Sequence, residues 1–175
     1  MHPWNASRVV VLLGALVVLA ASAGPARATQ VWSGRTFAFA KPSGADFTLP
    51  ANQDRITPLV WITRGATQGL FNIEQEGAYV HYLSPAGTTW ATGDAVNHSS
   101  LTFTDWDTWV QGYGGPPYTV GVNAVVHLVA DDIYIDITFD SWVAVYGGGF
   151  SYHRGVASAT PTETSTWGRL KSLYR

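Results

Sequence analysis

Apolar and polar residues alternate through the C-terminal half of the chain. Ile133, Ile135, Ile137, Phe139, Val143 and Val145 hold the odd positions, with Ser141 the one interruption. Asp132, Tyr134, Asp136, Thr138, Asp140 and Trp142 hold the even ones. A period of two predicts a strand with one buried and one wetter face; a helix would scatter these Ile residues around its circumference. In residues 121–130 the even positions are apolar instead: Val122, Ala124, Val126, Leu128 and Ala130. Asp131-Asp132 lies between the two runs. A two-residue hairpin loop there sets Leu128 opposite Ile135, Val126 opposite Ile137 and Ala124 opposite Phe139, apolar against apolar. A slip of one residue would turn one whole set to the wrong face. On the polar face the same register sets His127 opposite Asp136 and Gly121 opposite Trp142. Gly147-Gly148-Gly149 is a second turn signal. It predicts Phe150 and Tyr152 opposite Val145 and Val143, with His153 beside Trp142 on the polar face.

The upstream chain carries the same kind of pattern. Short strands are expected at residues 36–41, 59–63, 70–76 and 88–92, with 78–83 extended and turns rich in Gly, Pro and Asn between them. In the third of these, Asn72, Glu74 and Glu76 share one side. Residues 101–110 fit a strand or a short helix, because Trp106, Trp109 and Val110 also line up on a helical face. Eight or nine strands without a long helical period predict an all-β domain, a single antiparallel β-sandwich of jelly-roll type.

The ends of the chain read differently. Arg8 precedes the apolar run 9–21, and Ala26-Arg27-Ala28 has the form of a signal-peptidase site. Residues 1–28 are therefore expected to be a secretory signal-peptide helix, whose apolar run 9–21 is shorter than the ~20 residues that span a bilayer. The β-sandwich domain is placed at 29–156, a Ser/Thr/Pro linker at 157–166 and a short amphipathic tail at 167–175. The chain has no Cys, so no disulfide framework supports the exported domain. Removal of Arg8 and Arg27 leaves eight basic against 12 acidic residues, a formal charge of about −4. A weakly acidic chain without a basic cluster argues against nucleic acid as partner.

The segments NQDRIT, VWITRGATQGLFNIEQE, SPAGTTWATGD, DDIYIDITFDSW and GGGFSYHR resemble a domain of secreted bacterial and archaeal proteins, over about residues 36–154. The terminal TWGRLKSLYR is similar to short tails that close other exported bacterial proteins. That family has no established activity. The resemblance implies an extracellular or envelope β domain and assigns no functional residue.

The candidate chemistry comes from residue type and spacing. Asp132, Asp136 and Asp140 suggest a cation ladder, but residues two apart on a strand lie about 6.8 Å from each other, and calcium needs its oxygens within ~2.6 Å. They read as a solvated face. No metal site and no cofactor are expected. Glu74 and Glu76 are the candidates for a hydrolase, since a retaining glycosidase uses two carboxyls about 5.5 Å apart. Aromatic rings beside polar groups suit a pyranose, which offers a C–H face and a polar rim. Trp142, Asp140 and His153, with Tyr134, Asp136, His127 and Trp106, are the expected binding residues, whereas Trp61 reads as core. The function ranked first is a non-catalytic secreted binding module, with a glycan or an envelope component as partner. A glycosidase-like hydrolase and a structural envelope protein with an attachment tail are the alternatives. The oligomeric state is not readable from the sequence.

Overall fold

The computed structural model describes residues 28–158. The signal-peptide, linker and tail expectations lie outside the described residues, apart from residue 28 and linker residues 157 and 158. Among the described residues nine strands follow one another: β1 (Gln30–Trp32), β2 (Phe37–Lys41), β3 (Asp54–Thr57), β4 (Val60–Arg64), β5 (Leu70–Asn72), β6 (Thr88–Thr92), β7 (Ala124–Leu128), β8 (Ile133–Trp142) and β9 (Phe150–Arg154). The single α-helix among the described residues, α1 (Trp106–Gln111), lies between β6 and β7. The protein is all-β and mainly antiparallel. One sheet runs β2-β9-β8-β7-β6, with β1 added in parallel to β8; β3, β4 and β5 form the other.

The alternation read in β7 and β8 produces the core. Ala124, Val126, Leu128, Ile133, Ile135, Ile137 and Phe139 are all buried, and Val60, Ile62 and Leu70 of the small sheet pack into the same cluster. The register differs by two residues from the expected one. Leu128 pairs with Ile133, Val126 with Ile135 and Ala124 with Ile137. A shift of two preserves the faces, so apolar still meets apolar. The connection is longer than two residues: Ala130 is exposed, the amide of Val129 donates to Gly87, and Asp132 takes a left-handed φ of 52°. His127 consequently pairs with Tyr134, and Asp136 with Val125.

A second departure decides where Trp142 goes. Phe139 pairs with Tyr152, but Ser141 pairs with Ser151 and Trp142 with Phe150. One extra residue has entered β8, a β-bulge, and it inverts the alternation beyond it. Trp142 therefore packs against the core instead of standing on the polar face, and Val145 is exposed. Phe150 and Tyr152 are buried as expected, but opposite Trp142 and Phe139.

Polar groups tie the two sheets together. Arg154 of β9 donates from Nε and Nη2 to the two carboxylate oxygens of Asp54 in β3, at 2.6 and 2.8 Å, and the Tyr152 hydroxyl donates to Asp54 at 2.6 Å. All three residues are buried. Burial, then the Asp54 charge, raises the Tyr152 pKa well above its ordinary value. Burial works against the Arg154 charge, but the hydrogen bond and charge of Asp54 outweigh it and the Arg154 pKa is raised.

Ile135→Ala and Ile137→Ala should each cost ~2–5 kcal/mol in chemical denaturation. Asp140→Ala, at an exposed site, should stay within ~0.5 kcal/mol; the opposite ordering would mean the faces are inverted. Asp54→Ala leaves Arg154 buried and unpaired, and should lower stability by ~3–5 kcal/mol in the same assay.

Candidate functional site

The sequence-predicted binding residues fall into three places. His153 and Asp140 form an exposed ion-pair contact, Nδ1 to Oδ2 at 2.6 Å, at the bulge. Trp142 is not beside them. His127 and Tyr134 stack face to face on the outer side of the large sheet, with ring centroids 4.0 Å apart and planes 2° from parallel. His98 covers the other face of Tyr134 at 4.2 Å, and Phe103 meets both His127 and Tyr134 edge-on. Below this ladder Asp136 is buried, not solvated: its carboxylate accepts from the amides of Gly34 at 2.8 Å and Ala95 at 2.6 Å. Asp136 thus anchors the loops that cover the sheet. Asp132 bonds Thr29 and lies 3.3 Å from Nε2 of His127.

The third group is Trp106 and Trp142, and it forms a cavity. Asp105 starts α1 by accepting from the Thr108 amide at 2.8 Å, an N-cap that turns Trp106, Trp109 and Val110 inward. Residues 101–110 thus take the helical alternative over 106–111. Trp106 meets Trp142 at 5.8 Å between ring centroids. Together they wall a cavity of 640 Å³ that also touches Tyr79, Asp107 and Gln111. Arg64, Gln68, His81 and Tyr82 complete the polar part of its lining. Such a volume, with aromatic walls and a few converging polar groups, suits one or two sugar rings.

The backbone around the cavity is shaped for it. A Cβ on Gly69 would come within 2.4 Å of the Trp106 ring and 2.5 Å of Tyr79, so only glycine lets the two rings meet there. Gln68 and Tyr82 hold left-handed φ angles of 68° and 66°. Such a conformation costs a non-glycine residue roughly 1–2 kcal/mol, and two of the three such residues among those described line this one cavity. Strain concentrated at a concave site is a mark of function. Tyr82 is 79 % exposed at the rim.

Two charged groups are fixed in the lining. The Tyr79 hydroxyl donates to Asp107 at 2.8 Å, and burial together with that bond raises the Tyr79 pKa. Arg64 donates from Nε to Gln68 at 2.8 Å, and from Nη1 to Val143 at 2.9 Å and Gly149 at 3.0 Å, all backbone carbonyls. Its guanidinium lies 3.9 Å over the Trp142 ring. Burial pulls its pKa down to about 10, so it stays charged at neutral pH.

Glu74 and Glu76 do not form a paired site on a strand. The strand ends at Asn72; Glu74 follows in a turn and Glu76 lies just beyond it. Glu76 Oε2 is occupied by the amides of Asn72 and Ala86, at 2.7 and 2.8 Å, while Glu74 is exposed. Asn72, expected on the same side as Glu74 and Glu76, is fully buried and bonds the carbonyls of Leu59 and Ala86. Trp61, expected in the core, is half-buried under the Arg55 guanidinium at 4.0 Å. Sequence reading missed Tyr79, Asp107, Arg64 and Gln68. Arg64-Gly65 reads only as a strand end, and nothing local joins residues 64–82 to 106–117 across the chain. Comparisons with family models, curated proteins and solved structures return no match.

Burial lowers the His127 pKa, against the opposing pull of Asp132. The unfolded chain then takes up this proton first as pH falls below about 6.5, so His127 contributes stability that is present above that pH and lost on acidification. Urea midpoints measured from pH 7 to 5 should fall, and His127→Gln should flatten the decline; an unchanged slope in the variant would place the titration elsewhere.

Proposed function

We propose that this chain is a non-catalytic binding module of the cell envelope or extracellular space, and that the cavity between Trp106, Trp142, Tyr79 and Tyr82 takes a sugar ring. The observation that carries the reading is the combination in one concave site of aromatic walls with Asp107, Gln68 and Gln111. A pyranose offers C–H faces to rings and hydroxyls to amides and carboxylates. Export rests on the leader-like residues 1–28 and on the resemblance to secreted bacterial and archaeal domains. The architecture we favour is a lopsided β-sandwich related to jelly rolls; what supports it is that side chains of both sheets enter one core. Binding is favoured over hydrolysis because Asp107 is the one carboxylate among the described residues of the lining. A retaining glycosidase needs a second about 5.5 Å away.

Titration with soluble glycans should change tryptophan emission, because Trp106 and Trp142 wall the site. Tyr82→Ala, which removes an exposed ring, should leave the fold intact and weaken binding about five- to tenfold. Trp142→Phe should reduce the emission change. If no glycan alters the emission of the wild type, the sugar reading is wrong.

A further inference from the structure

The two buried arginines of the sheet interface are treated differently. Arg154 has the Asp54 carboxylate bidentate on its Nε–Nη2 edge, and its Nη1 donates to the Gly155 carbonyl. Arg64 has none: it donates to three backbone carbonyls, and its flat face lies on Trp142. Guanidinium carries five N–H donors. Three are used, and the two on Nη2 have no protein partner among the described residues. A desolvated cation without a counter-ion is unfavourable, and an anion that reached it would gain from a group already ordered.

Two neighbours reinforce the imbalance. Lys41 is also buried, with Nζ 3.3 Å from the Gly148 carbonyl, and its pKa is lowered by burial first and by the Arg64 charge second. Positive charge is therefore doubled behind this wall of the cavity. Trp106 is 1 % exposed, and its indole N–H is a buried donor without an acceptor. Donors outnumber acceptors around Arg64 and Trp106. The opposite charge, Asp107, is held by Tyr79 through Oδ1, which leaves Oδ2 able to accept a hydroxyl.

We propose that the ligand carries a carboxylate that Arg64 reads, so that the cavity selects an acidic sugar of the hexuronate type over its neutral counterpart. This rests on the sugar reading of the same cavity. The carboxylate meets Nη2 of Arg64, and a ring hydroxyl meets Asp107. One anionic group at one end and hydroxyl donors at the other match the fixed charges; a neutral hexose leaves the guanidinium unpaired.

The test changes the ligand, so it does not depend on a variant that folds. The purified protein is titrated with oligosaccharides of galacturonate, glucuronate and mannuronate, each beside its carboxyl-reduced neutral form. At least one acidic form should bind about tenfold tighter than its reduced partner or more, the scale of one hydrogen bond to a charged group. Arg64→Lys, checked for an unchanged circular dichroism spectrum, should shrink that ratio. Equal binding of acidic and reduced forms overturns the selection by Arg64 and leaves the sugar site standing. Binding of neither form, acidic or reduced, overturns both.

Discussion

The buried carboxylate of Asp54 is the constraint on which the arrangement of the two sheets depends. It receives two N–H donors from Arg154 and the hydroxyl of Tyr152, so β3 of the small sheet is tied to β9 of the large one. Placing a carboxylate in an apolar core is costly unless its oxygens are fully engaged. Here they are, and the engagement is directional. Carboxylate and guanidinium fit in few relative positions, so the strands that carry them cannot slide independently. The apolar cluster supplies the bulk of the burial without specifying such an alignment.

The other end of the same interface is built from a different solution. Arg64, on β4 of the small sheet, reaches the residues that follow β8 and bonds the carbonyls of Val143 and Gly149. Its charge is balanced by dipoles and by the Trp142 ring, not by an acid. One cross-sheet tie is thus closed and the other open. The closed tie, at Asp54, carries its own counter-charge. The open tie borders the cavity and retains unused N–H groups, and on this contrast rests our proposal of a ligand at this end.

The bulge in β8 links these two facts. Without the extra residue between Phe139 and Ser141, Trp142 would stand on the outer face beside Asp140 and His153. With it, Trp142 turns inward, meets Trp106 and supplies the surface over which Arg64 lies. The glycines of the following loop serve the same end. A Cβ on Gly148 would come within 1.7 Å of the Gly65 carbonyl, so the loop closes on β4 only because no side chain intervenes.

The amino-acid sequence by itself determined the all-β character, the core faces of β7 and β8, and the burial of Phe150 and Tyr152. These follow from a period of two, which is a local property and survives a shift of register by two residues. Even the helix at Trp106 was legible as an alternative, because its apolar residues lie on one helical face. Register and the bulge were not legible, since both depend on which partner strand supplies the hydrogen bonds. The same holds for polar residues. Asp136, Asn72 and Glu76 look like solvated positions by alternation, yet each satisfies backbone amides or carbonyls of other segments, those of Asp136 distant along the chain. The cavity is the clearest case: Arg64, Gln68, Tyr79, Trp106 and Trp142 carry no shared spacing. Only tertiary packing brings them together, because burial, counter-ion supply and concavity are properties of neighbours in space and not of neighbours in sequence.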